Sequence, residues 1–104
     1  MYGIIGKIRA TPGDRDRLAE ILVGASSAMP GCHSYVVALD AEDADALWVT
    51  EVWDSAESHQ ASLDLPGVRA AIAEGRPLIA GFGPERFETA PVGGYDQSAS
   101  PDDA

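Results

Sequence analysis

The chain has 104 residues, 45% of them apolar, and a formal net charge of −10, which allows one core of useful size and argues against general disorder. Residues 32–67 hold eight carboxylates and no Lys or Arg, so nucleic acid and anionic membrane surfaces are excluded as expected partners, because both need a basic face. Cys32 is the only cysteine, no apolar run reads as a signal peptide or a bilayer span, and the cytoplasm is the expected compartment.

Residues 2–10 alternate, with Ile4 and Ile8 on one face and Ile5 and Lys7 on the other, and read as a first strand. Thr11-Pro12-Gly13-Asp14 reads as a helix start, with Thr11 as cap and Pro12 at the first helical position. Leu18, Ile21, Leu22, Ala25 and Met29 then follow the spacing of an amphipathic helix, which Pro30-Gly31 stops. A second strand is predicted from Cys32 to Leu39, with His33 and Tyr35 on one face and Cys32 on the other.

After the acidic turn at Asp40–Asp45, a third strand from Ala46 to Trp53 places Leu47, Val49, Glu51 and Trp53 on one face, and Trp48, Thr50 and Val52 on the other. Both faces are rich in apolar groups. Asp54 and Glu57 have the spacing of a capping box for a helix in which Ala56, His59 and Leu63 share a face. Pro66 restarts the helix with Val68, Ala71 and Ile72 inward. Gly75, Pro77, Gly81, Gly83 and Pro84 end helical structure in steps, and Glu85 to Val92 reads as the fourth strand. The expected division is a domain over 1–92 and a flexible acidic tail over 93–104.

This order is the α+β, ferredoxin-like βαββαβ arrangement, with helices on one face of an antiparallel sheet. A domain of this size buries only about 60–65% of its unfolded surface. A second copy is therefore the expected cover for the other apolar face, which makes the chain a homodimer.

His59 is the favoured candidate base, since its helical spacing turns it inward and an imidazole titrates near neutrality. Trp53 could stack a planar ligand or simply fill the core. Glu51, two residues earlier on the same strand face, could orient His59 or accept a substrate hydroxyl; the alternative is an ion pair with Arg69 or Arg86. Tyr35, Arg69, Val49 and Ser62 are further candidates for substrate contact, Arg69 for an anionic group. No residue set has the spacing of a metal site, and Gly81-Phe82-Gly83 is no dinucleotide loop, because Arg86 stands at the third glycine position.

Thr11-Pro12-Gly13, Pro30-Gly31-Cys32, Glu51-Val52-Trp53-Asp54-Ser55, and Ser62-Leu63 with Pro66 and Arg69 together resemble the antibiotic biosynthesis monooxygenase family. The resemblance implies a dimeric α+β barrel with one pocket per subunit, and an aromatic or quinol-like substrate oxygenated by O2 without cofactor. Trp53 matches the family's recurrent pocket tryptophan. The quinone-forming enzymes carry Asn and Tyr where this chain has Val49 and His59, and many relatives carry His at the position of Ser62. Gly6 and Ile72 replace the Asn and His of the haem-degrading branch, which argues against haem degradation. A non-catalytic small-molecule-binding protein, or an isomerase of a small carbonyl compound, would use the same scaffold.

Overall fold

Described over residues 1–94 by a computed structural model, the chain runs β1 (Tyr2–Ala10), α1 (Arg15–Ala25), β2 (Cys32–Leu39), β3 (Ala46–Trp53), α2 (Ala56–Ser62), α3 (Pro66–Gly75), a short 3₁₀ turn (Arg76–Leu78) and β4 (Ile79–Thr89). The four strands form one antiparallel sheet in the order β2-β3-β1-β4. No helix among the described residues is long and apolar enough to cross a membrane.

Four local features differ from the sequence reading. Thr11–Asp14 is a turn closed by the Asp14 N–H on the Thr11 carbonyl (3.0 Å), and α1 starts only at Arg15. Gly13 has φ +84°, which after Pro12 is the signature of a type II turn. The cap of α2 is Ser55, whose Oγ accepts the Ser58 N–H at 3.1 Å. Asp54 binds the His33 imidazole instead.

In β2 a register shift falls between Cys32 and Ser34, so that Cys32 opposes Trp53 and Ser34 opposes Val52. The extra residue, His33, returns Cys32 to the same face as Tyr35, reversing the expected sidedness. Finally, β4 begins at Ile79 and passes through Gly81, Gly83 and Pro84, ending at Thr89 instead of Val92. As an edge strand paired only with β1, it tolerates the N–H that Pro84 lacks. Gly6 opposes Arg86 and Ile8 opposes Phe82, so the intervening Gly83–Glu85 segment forms a bulge. A side chain at Gly83 would collide with the Arg9–Glu85 ion pair. The acidic tail expected at 93–104 lies, from residue 95 onward, outside the described residues.

Directly opposed residues share a face of the sheet, and the pairings arrange the helix-side face in rows. These run Cys32–Trp53–Tyr2, Tyr35–Glu51–Ile4–Glu88, Val37–Val49–Gly6–Arg86 and Leu39–Leu47–Ile8–Phe82. Leu18 of α1 packs on Leu47, Val49 and Ala10 to form the core, and Trp53 is fully buried beside it.

The far face carries the row Val36–Thr50–Ile5–Phe87, in which Val36 and Phe87 are exposed. Trp48, on the same face, is partly covered by its own chain. Its indole N–H donates to Asp40 at 2.8 Å, and the Lys7 ammonium lies 5.7 Å from the ring centroid and 3.5 Å from Asp40. Asp40 also accepts the backbone N–H groups of Glu42 and Asp43. Those bonds, followed by the Trp48 indole, hold its carboxyl well below the usual carboxylate range.

Candidate functional site

Strand alternation puts Glu51 and Trp53 on the helix-side face, and the turn of α2 lowers His59 onto them. The Trp53 indole N–H donates to Glu51 Oε1 at 3.0 Å. The same oxygen lies 3.9 Å from His59 Nε2, too far for a hydrogen bond and close enough for an ion pair once the imidazole is protonated. The Trp53 and His59 rings meet edge to face with centroids 5.5 Å apart, and the Tyr2 ring lies 5.9 Å from His59 in a tilted arrangement. Tyr35 stands directly across from Glu51 on β2.

Tyr35, Glu51, Trp53 and His59 form one end of a pocket of about 140 Å³ between the helices and the sheet, whose apolar wall includes Leu22, Met29, Leu63, Val68 and Ile72. A cavity of roughly 150 Å³ holds a benzene ring, so this pocket accommodates one aromatic ring. Burial pushes the Glu51 carboxyl up from its usual range, against the opposing pull of the Trp53 indole, His59 and Arg86. Burial likewise drives the Tyr35 phenol well above its ordinary value, with the Glu51 charge adding to it, so Tyr35 stays a neutral donor. The Cys32 thiol is also raised, chiefly by burial, and a raised thiol is a poor nucleophile.

Among the residues singled out from the sequence, His59, Trp53, Glu51, Tyr35 and Ser62 line this one pocket. Ser62 is buried, and its hydroxyl donates to the His59 carbonyl one turn back at 2.6 Å. That bond leaves it little to offer a ligand. Val49 belongs to the core and lines the wall of an adjoining hollow. Arg69 is exposed on α3 and lies outside the pocket wall. Arg86 pairs with Glu88 at 3.2 Å, leaving Glu51 without a direct arginine partner.

Tyr2 escaped the sequence reading, although its place at the head of β1 opposite Trp53 follows from the strand register. Among the described residues no group of three or more His, Cys, Asp or Glu is placed to hold a metal.

The arrangement can therefore bind a planar apolar ring, take a proton from a hydroxyl at the polar end, and hold the resulting imidazolium against a carboxylate.

Comparison with known proteins gives matching results. The profile of the family described as antibiotic biosynthesis monooxygenase matches residues 1–74. A Chloroflexus aurantiacus protein provisionally named an antibiotic biosynthesis monooxygenase is 66% identical, with a TM-score of 0.87 over 90% of this chain and 95% of that one. Two proteins with the same provisional name share the fold. One, from Deinococcus radiodurans, has 24% identity and a TM-score of 0.72, covering 91% of this chain and 96% of that one. The other, from Caulobacter crescentus, has 18% identity and a TM-score of 0.77, covering 88% of this chain and 90% of that one. No functionally curated protein matches.

Proposed function

The chain belongs to the antibiotic biosynthesis monooxygenase family, and from that premise we propose that it oxidises a small aromatic or quinol-like substrate with O2 and no cofactor. The observation that carries this reading is the convergence of Glu51, Trp53 and His59 on one ring-sized apolar pocket. The substrate ring lies in the pocket beside Trp53, and its hydroxyl points to the polar end. His59 takes the hydroxyl proton, and Glu51 Oε1 stabilises the imidazolium.

The substrate itself is the reductant. Its anion passes one electron to O2, and the resulting radical recombines with superoxide to form a C–O bond. The proton held on His59 completes a hydroperoxide, which loses water as the same carbon gives up its hydrogen and becomes a carbonyl. One oxygen atom ends in the product and one in water. The protein contributes deprotonation, orientation and a largely apolar wall that keeps solvent from the intermediates. The proposal includes a homodimer, supported by the exposed Val36 and Phe87 on the sheet face that the helices leave bare. It also includes residence in the cytoplasm, in keeping with a lone, half-buried thiol.

The test is oxygen uptake by metal-free protein screened with hydroquinones and anthrones. His59→Ala is expected to abolish uptake while ligand still binds. Wild-type uptake in that variant removes His59 from the mechanism. A second reading, a non-catalytic protein that sequesters a small apolar metabolite, is favoured by the Ser62 hydroxyl being committed to its own helix. Ligand binding without oxygen consumption would select it.

A further inference from the structure

Beside the Glu51 pocket lies a second hollow of about 350 Å³ on the same face of the sheet, walled by Ile4, Ile8, Val49 and Phe82 and bounded by Arg86. Glu51 belongs to the walls of both spaces. The floor of the hollow is Gly6, in the centre of the sheet between Val49 on β3 and Arg86 on β4. A Cβ built on Gly6 would meet nothing within 4 Å, so the glycine is required neither by packing nor by a positive φ. A strand glycine of this kind weakens the sheet locally and marks a place where something else comes close to the backbone. Phe82, 73% exposed at the rim, is the most exposed aromatic side chain among the described residues and forms the far wall.

We propose that the hollow over Gly6 is a second substrate subsite, which receives the far arm of an elongated, flat, apolar substrate whose terminal anionic oxygen is met by Arg86. The proposal rests on the assignment of the Glu51 pocket as the place of the reacting ring, and it states what the rest of the molecule must be. β3 and β4 lie two strand spacings apart, roughly 10 Å, which is about the length of two linked rings. The first pocket has room for one ring. A hydroxylated ring at Glu51 and His59, a second ring over Gly6 and an acidic group at Arg86 therefore match the spacing of the polar groups. The Arg86–Glu88 pair lies at the surface, where an incoming carboxylate can compete for the guanidinium. The apolar trough of about 520 Å³ under α3, next to Ala71 and Ile72, is the competing position for the arm. The trough shares the apolar Leu22, Ala71 and Ile72 with the first pocket, whereas the hollow over Gly6 shares Glu51, the carboxylate at the reacting end.

The test uses isothermal titration of the whole chain with three probes: 4-ethylphenol, 4-phenylphenol and 4′-hydroxybiphenyl-4-carboxylate. Wild-type protein is expected to bind them in rising order of affinity. Gly6→Val, whose Cβ enters open space and whose branched side chain occupies the hollow and raises strand propensity, is expected to weaken both biphenyls by roughly tenfold or more, through lost apolar burial. It leaves 4-ethylphenol within about twofold on the same grounds. Arg86→Gln is expected to remove the advantage of the carboxylate over 4-phenylphenol and change neither of the other two. Circular dichroism and a thermal melt confirm that each variant folds.

Wild-type protein that binds 4-ethylphenol yet gains nothing from the longer probes overturns the subsite and leaves the first pocket standing. Binding of none of the three overturns both. A loss of biphenyl affinity with Arg76→Trp, which narrows the trough at a residue outside the first pocket, and not with Gly6→Val would assign the arm to the trough under α3, and so overturn the proposal as well.

Discussion

Gly13 and Gly31 form a natural control pair, because their φ values are +84° and +83° while their surroundings differ. A Cβ on Gly13 would meet nothing within 4 Å, whereas one on Gly31 would lie 2.7 Å from both Cβ and Oγ of Ser58. Alanine at either site carries the left-handed backbone penalty of about 1 kcal/mol. At Gly31 the collision also displaces Ser58, whose N–H is the donor to the Ser55 cap. Loss of that cap adds about 1 kcal/mol, and the forced shift of the first turn of α2 about 1 kcal/mol more. Gly31→Ala should therefore cost about 3 kcal/mol against about 1 kcal/mol for Gly13→Ala. In a domain of this length that corresponds to a fall in Tm of roughly 12–24 °C against 4–8 °C. Urea unfolding followed by tryptophan fluorescence measures both. Because His59 follows Ser58 directly, Gly31→Ala should also weaken ligand binding while Gly13→Ala does not. Equal costs for the two variants would refute the packing argument and leave the backbone angle as the whole effect.

Glu51→Gln should make the protein more stable at neutral pH. Since burial raises the folded-state pKa, the native state holds its proton longer than the unfolded chain, and wild-type stability falls as pH rises from the ordinary glutamate range through that raised value. The difference between the urea midpoints of the two proteins should widen over that window and then level off. Asp40→Asn should act in the opposite sense, because the folded Asp40 carboxyl is depressed: its contribution is present above the ordinary aspartate value and lost as pH falls below it. The two unfolding curves should accordingly converge in strong acid. Ser62→Ala should cost about 1 kcal/mol in urea unfolding, the worth of one hydrogen bond, and leave ligand affinity unchanged by titration. A clear loss of affinity would mean that the hydroxyl reaches the ligand. Trp53→Ala, which empties a fully buried site, should cost about 3–5 kcal/mol by the same unfolding assay.

The parts of this molecule that could be read in the sequence are those governed by simple periods. Alternation along β3 puts Glu51 beside Trp53, and the helical period turns His59, Val68, Ala71 and Ile72 toward the same space. What could not be read depends on a neighbour that the local sequence does not name. Pro84 and its flanking glycines look like terminators until β4 is known to be an edge, where an absent N–H is harmless. One extra residue at His33 moves Cys32 to the face of Tyr35, and nothing local announces the shift. Thr11 and Asp54 are good caps by type, yet a Pro-Gly turn and the His33 imidazole claim the positions first. Tyr2 reaches His59 only through cross-strand register, and Arg69 lies outside the pocket because α3 turns Val68, Ala71 and Ile72 toward it.

The strand order β2-β3-β1-β4 makes the beginning and the end of the described chain neighbours, Gly3 opposite Thr89. Closure of so long a loop carries an entropic cost that local contacts cannot offset early, and such pairings form late in folding. On a ribosome, β1 to β3 could associate while β4 is still being made. Until it arrived, one edge of β1 would stand unpaired, with Gly6 on it, as a ready template for a foreign strand. The assembly line of this protein thus finishes with the strand that bears Arg86 and Phe82, so a nascent chain stalled before that point would be prone to aggregate.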